Sequence, residues 1–187
     1  MFSVDLPKPS QRLIDTLYDE MKTTLESYVY LWETYPNWPN NFAENVSLHK
    51  ESNQIGNTEF QSFFDEPIIV CGLLFVPNPN SYVSCLVPHT DSYRNFGINY
   101  ILETGGENVT TTIYTKKEYG EPKSNQYFGT DLEVLDSRQL LPNHWYGLDG
   151  SRYHSVENIT SNRLLLSVSF QNLTYEEFVL KYRNIIL

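Results

Sequence analysis

Residues 163–170 read RLLLSVSF. On an extended strand successive side chains alternate between faces. Leu164, Leu166, Val168 and Phe170 then share one face, and Arg163, Leu165, Ser167 and Ser169 share the other. The first is a core face. The second opens with a guanidinium in a mostly apolar run, which is costly unless an anion answers it. Two readings fit. Arg163, followed on its face by two hydroxyls, clamps a carboxylate ligand through its planar fork. Alternatively, it makes an internal salt bridge to one of the chain's many acids.

Working outward, runs of the same kind recur: PIIVCGLLFVP (67–77), NSYVSCLVPH (80–89), FGINYILE (96–103), NVTTTIYT (108–115) and SRQLLPNHWYGLD (137–149). Pro, Gly and Asn separate them, as in a sandwich or barrel of antiparallel strands. No helix long enough for repeated βαβ crossovers lies between them, which argues against a doubly wound sheet. Before this region, Ser10 is placed to cap a helix through RLIDTLYDEMKTTLESYVYLWET (12–34), with Leu13, Leu17, Met21 and Tyr28 at helical spacing. This helix is expected to pack on the outside of a sheet. The Pro- and Asn-rich stretch 35–57 reads as irregular, with room for a short turn of helix, and His49 within it, in a polar setting, as a surface residue. At the other end Thr174 and Glu177 form a capping box ahead of a helix that packs through Phe178 and Tyr182.

Composition narrows the function. A net charge of −10, with 13 Lys and Arg against 23 acids, disfavours nucleic acid and anionic membrane surfaces as partners. The opening MFSVDLPKPS lacks the apolar core of a signal peptide, and no run approaches bilayer length, so a cytoplasmic location is expected. Cys71 and Cys85 lack redox or zinc spacing and read as buried reduced thiols.

Chemistry concentrates around two segments. In PHTD, His89 and Asp91 stand two apart and point to one side of an extended strand. An imidazole and a carboxylate so placed offer two positions to one metal. A second imidazole comes from His144 or His154. Two histidines and one carboxylate make the facial triad of non-haem iron(II) sites, with open positions left for other ligands. The H-x-D pair alone is a weak signal. Arg94 either holds an acidic group of a substrate or cosubstrate, or is a solvated loop residue. Asn99 in FGINYIL either hydrogen-bonds a ligand or satisfies a strand edge or bulge; Tyr100 belongs to the opposite face. Gly105 and Gly106 read as a turn, and Asp149 as a turn-shaping residue. Tyr114, Tyr119 and Tyr127 either line a mouth or cover a sheet.

Taken in order, PHTD, YHSV and RLLLS resemble the iron(II)- and 2-oxoglutarate-dependent dioxygenase superfamily, whose pattern is H-x-D, a long interval, H, and then Arg or Lys about ten residues on. The resemblance covers about residues 67–172 and is specific for the superfamily rather than for any subfamily. It implies a mainly β fold, a double-stranded β-helix (jelly roll, cupin-like) with supporting N- and C-terminal helices, as one domain over 1–187. It implies His89, Asp91 and His154 as iron ligands and catalytic centre, with His154 preferred over His144 because Arg163 follows it at the family spacing. By the same resemblance Arg163 meets the distal carboxylate of 2-oxoglutarate and Ser167 assists it, with Arg94 and Asn99 as further cosubstrate contacts. The implied reaction hydroxylates a small molecule or peptide side chain with O2, releasing succinate and CO2. The stretch HTDSYRNFGINYIL is also similar to aspartyl/asparaginyl hydroxylase-like members; these often lack the acidic ligand that Asp91 supplies here. A cupin-like metal enzyme without 2-oxoglutarate and a non-enzymatic jelly-roll binding module are the rival readings. A hydrolase is disfavoured, since no G-x-S-x-G elbow or other nucleophile motif is present.

Overall fold

A computed structural model describes residues 1–34, 44–48, 51–77, 85–91, 94–116 and 132–187. The chain runs β1 (Phe2–Val4), α1 (Gln11–Thr34), β2 (Glu44–Leu48), α2 (Glu51–Phe60), β3 (Ile68–Val76), β4 (Leu86–His89), β5 (Phe96–Thr104), β6 (Thr110–Lys116), β7 (Leu132–Arg138), β8 (Trp145–Asp149), β9 (His154–Glu157), β10 (Arg163–Phe170) and α3 (Tyr175–Lys181). Six strands form one sheet in the order β1-β8-β5-β10-β3-β2, and four form a second in the order β4-β9-β6-β7. Every pairing is antiparallel.

The alternation read in RLLLSVSF holds. Leu164, Leu166, Val168 and Phe170 face a core shared with Leu13 and Leu17 of α1, Phe60 of α2 and Phe178 of α3. Leu165 faces the other way, into a core between the sheets with Phe75, Ile101, Tyr146 and Val156. Position i of β10 carries its neighbours with it: Ser167 lies beside Cys71 and Asn99, and Ser169 beside Ile69 and Gly97. This inner face, floored by the larger sheet, is where polar residues collect. Both terminal helices are capped as the sequence indicates. Ser10 Oγ accepts from Leu13 N at 3.3 Å, and the Thr174–Glu177 capping box is complete.

One expectation holds in part and two need correction. The chain is mainly β with flanking helices, but the sheets pack face to face, and among the described residues there is no closed barrel or curled sheet. Among the described residues no ladder joins the edge strands β1 and β2 of one sheet to β4 and β7 of the other. The run 137–149 is not one strand but the last two residues of β7, a turn, and β8: Pro142 cannot donate to a ladder and Asn143 takes φ 61°, so the chain turns there from the small sheet to the large. The stretch read as irregular contains β2 and the first seven residues of α2, which runs on to Phe60. That helix is held from outside: Glu20 on α1 accepts from Ser52 N at 3.0 Å and Ser52 Oγ at 2.7 Å, while Gly56 lets it close on Val70, whose Cγ1 a Cβ at that position would strike. His49, Tyr119 and Tyr127 lie outside the described residues. No helix among the described residues is long and apolar enough to cross a membrane.

Candidate metal centre

β4 and β9 lie side by side in the small sheet, and His89 pairs directly with His154. Between the Leu86–Val156 pair and this one, β4 spends three steps against two on β9, so a bulge falls at Val87–Pro88. The extra residue matters for direction. Leu86 and His89 are an odd number apart, yet both face the inter-sheet cavity, which a regular strand would not allow. Asp91 follows two residues later and turns to the same side.

The three side chains converge. Their ligand atoms all lie within 4.8 Å of one another, with no comparable group elsewhere among the described residues. Asp91 Oδ1 is 3.6 Å from His154 Nε2 and 3.8 Å from His89 Nε2. Each imidazole meets the carbonyl two residues upstream through Nδ1, His89 to Val87 O at 2.9 Å and His154 to Arg152 O at 3.0 Å. With Nδ1–H donating there, Nε2 keeps its lone pair toward the carboxylate, the tautomer a metal needs. His144 makes the same contact with Pro142 O at 2.8 Å but is exposed and outside the cluster, which decides against it as the third member.

Electrostatics suit a cation. Burial drives the His154 pKa down to about 4, with His89 and Arg94 adding to the fall and Asp91 opposing it, so the ring is neutral near pH 7. Burial alone would raise the Asp91 carboxyl; Arg94 and the two imidazoles outweigh it and hold it below the ordinary carboxylate range. Two imidazoles and one carboxylate form a facial triad able to coordinate a divalent metal.

A cavity of about 590 Å³ adjoins the triad and is also lined by Arg94, Asn99, Thr111, Ser169 and Arg163. Arg163 is 2% exposed. Its Nη1 donates to Thr104 O at 2.8 Å and its Nη2 reaches Thr111 Oγ1 at 3.4 Å, while Nε–H has no partner. Among the described residues it has no acidic partner, and burial alone pulls its pKa down to about 10. The internal salt bridge left open by the sequence is therefore not formed among these residues. Thr111 stands two residues from Ile113, the partner of His154 on β6, so the guanidinium lies about one strand repeat, roughly 6.6 Å, deeper than the triad.

Other expected residues are placed differently. Ser167 is fully buried and accepts from Arg94 Nη1. It stands four residues along the strand from Arg163, about 13 Å, so the structure groups it with Arg94 rather than with Arg163. Arg94 is no solvated loop residue: its Nε donates to Asp91 Oδ2 at 2.6 Å. Asn99 faces the cavity and Tyr100 the opposite core, packed on Trp145. Tyr114 covers the small sheet through Ser155 and Glu157. Asp149 shapes the turn before His154, accepting from Ser151 and Arg152. Cys71 is buried on the cavity wall, Cys85 is half-buried, and both are free thiols.

No family model matches the chain, and no curated protein matches it. Among solved structures it is similar to ycfD of E. coli, at 14% identity and TM-score 0.40 over 72% of this chain and 34% of that one. A cupin domain from Bordetella pertussis matches at 12% identity and TM-score 0.35 over 68% of this chain and 91% of that one. Hydroquinone 1,2-dioxygenase matches at 11% identity and TM-score 0.36 over 64% of this chain and 66% of that one. The chain thus spans about a third of the length of ycfD, and similarity at this level assigns neither activity nor ligand.

Proposed function

We propose that the chain is an iron(II)- and 2-oxoglutarate-dependent oxygenase that hydroxylates a small molecule or a peptide side chain, on a single domain whose two sheets form a double-stranded β-helix over about 67–172. The observation that carries this reading is Arg163: a buried cation without an acidic partner among the described residues, with one N–H unanswered, on the wall of the cavity that the triad borders. Such a group is costly unless a ligand anion completes it. The fold reading is supported by the path of β3 to β10, which alternates between the sheets except at the β6–β7 hairpin.

The donor set fits iron(II): His89, Asp91 and His154 would hold it, and a set of two histidines and one carboxylate leaves room for further ligands. Bound together, the metal and 2-oxoglutarate would let O2 oxidise an unactivated C–H bond, one oxygen atom entering the hydroxylated product and the other the succinate formed with CO2 from 2-oxoglutarate. This chain's own contributions are positional. The Val87 and Arg152 carbonyls fix the imidazoles, Arg163 offers its fork to a distal carboxylate, and Leu86, Tyr146, Leu148, Val156 and Leu165 supply apolar wall that excludes water.

A cupin-like metal enzyme without 2-oxoglutarate is favoured by one observation: both Nη groups of Arg163 already meet neutral oxygens, which gives it a role in bridging the sheets. Calorimetric titration of oxygen-free, iron(II)-loaded protein with 2-oxoglutarate separates the two. One-to-one binding is expected. Metallated protein that gives no binding, and no substrate-stimulated succinate, refutes the 2-oxoglutarate reading and leaves the cupin-like one.

A further inference from the structure

A carboxylate ligand is useful to a metal only if the correct oxygen faces it. At Asp91 that choice is made by a side chain resting on the opposite sheet. Arg94 Nε takes Oδ2 at 2.6 Å, leaving Oδ1 toward the two imidazoles. Nη1 of the same guanidinium donates to Ser167 and reaches Ser169 Oγ at 3.3 Å and Asn99 Oδ1 at 3.5 Å. These acceptors lie on β5 and β10, where Ser167 pairs with Asn99 and Ser169 with Gly97. Gly97 completes the floor: a Cβ there would sit 2.6 Å from Arg94 Nη1 and 3.1 Å from Cζ. On its other side the carboxylate is backed by Gly150, where a Cβ would sit 2.7 Å from Oδ2. Asp91 is thus wedged between a bare backbone and a guanidinium laid flat on the large sheet.

We propose that Arg94 is a positioning residue for the metal centre, tying Asp91 to the floor formed by Gly97, Asn99, Ser167 and Ser169 so that Oδ1 faces His89 and His154 before a metal arrives. The inference rests on the triad being the metal site. It also accounts for Ser167, a fully buried hydroxyl on an inner strand face, which anchors the far end of the clamp. Two properties of Arg94 act in opposite directions. Its charge weakens the attraction of the site for a cation, whereas its grip removes the cost of ordering the carboxylate on binding. Variants that keep the charge isolate the grip.

The test uses full-length protein and cobalt(II) as the probe, with affinity read by chelator competition and coordination by the cobalt d–d absorption band. Arg94→Lys keeps the charge but loses the fork that reaches both Asp91 and the floor. Ser167→Ala keeps Arg94 and all three ligands and removes only the anchor. Each is expected to bind cobalt(II) about 10-fold more weakly or worse, as for other partners that orient metal ligands, and to change the absorption band. If Arg94→Lys does not fold, Ser167→Ala decides alone. Wild-type affinity and an unchanged band in the folded variants overturn the inference while leaving the metal site standing, even if thermal stability drops. A wild type that binds no cobalt(II) ends both.

Discussion

Replacing Arg163 by Leu separates a ligand-binding cation from a structural one, and the structure sets the size of the effect. In the native fold the guanidinium is 2% exposed, and burial lowers its pKa from 12.5 to about 10. At about 1.4 kcal/mol per tenfold change, the charged form carries a penalty of roughly 3 kcal/mol. That penalty is present in full below pH 10 and is relieved only as pH rises from the folded value toward the unfolded one. Leucine removes it and suits Leu165, Ile101 and Phe75 nearby. Against this, the bond to Thr104 O is lost, and a buried carbonyl left unsatisfied costs about 1–3 kcal/mol, while Thr111 Oγ1, met only at 3.4 Å, belongs to a hydroxyl that turns to another partner. The terms nearly cancel, so stability should move by no more than about 2 kcal/mol, or within about 8 °C in Tm at 2–4 °C per kcal/mol. 2-Oxoglutarate binding, by contrast, should vanish. The assay pairs thermal denaturation of metal-loaded, cosubstrate-free protein with anaerobic titration of 2-oxoglutarate. Breaking a buried ion pair would instead cost about 3–5 kcal/mol. A fall well beyond 10 °C, or 2-oxoglutarate binding that survives the substitution, refutes the reasoning.

Other outcomes follow from the same geometry. Asp91→Ala should take anaerobically loaded protein from one iron(II) per chain to nearly none, read by metal analysis after desalting; unchanged stoichiometry would remove the triad assignment. Glu20→Ala strips Ser52 N and Oγ of their buried acceptor, and should cost about 1.5–3 kcal/mol, seen as a lower midpoint in thermal or urea denaturation. Burial alone would raise the Glu66 carboxyl, but bonds from Lys181 and Tyr182 prevail and hold it below its ordinary value. Its contribution is present above the unfolded value and lost as pH falls through the lower folded one. Glu66→Gln should therefore flatten the acid limb of Tm against pH, and an unaltered limb would discount the cluster.

The sequence made the triad legible because its parts sit in short patterns: two residues apart on an extended segment for His89 and Asp91, and a strand alternation that exposes Arg163 as the odd member of RLLLSVSF. The capping box of α3 was legible for the same reason, since all its partners are local. What escaped is built by contacts remote in sequence. α2 has a polar, Gly-containing sequence and becomes a helix where Glu20, 32 residues earlier, caps it and Val70 receives Gly56. β1 is three residues long and gains its place by pairing with β8, some 140 residues on. The positioning role of Arg94 was invisible because its floor joins residues on β5 and β10, up to 75 positions away. A signal was available all the same: Gly97, Asn99, Ser167 and Ser169 leave a small, polar lane across two otherwise apolar strands, and such a lane needs something polar to lie on it.

The bulge in β4 makes the metal centre depend on the path of the backbone as well as on residue type. One extra position at Val87–Pro88 brings Leu86 and His89 onto the same side of the strand. Deleting either bulge residue would leave Leu86 and His89 on one side, but were the bulge smoothed out with no residue removed, the two would stand three regular steps apart and the imidazole would turn away from His154. The protein would keep its composition, its hydropathy and most of its packing, yet lose a donor. Holding the bulge at Val87–Pro88 is therefore a condition of the site in its own right, apart from the identity of its ligands.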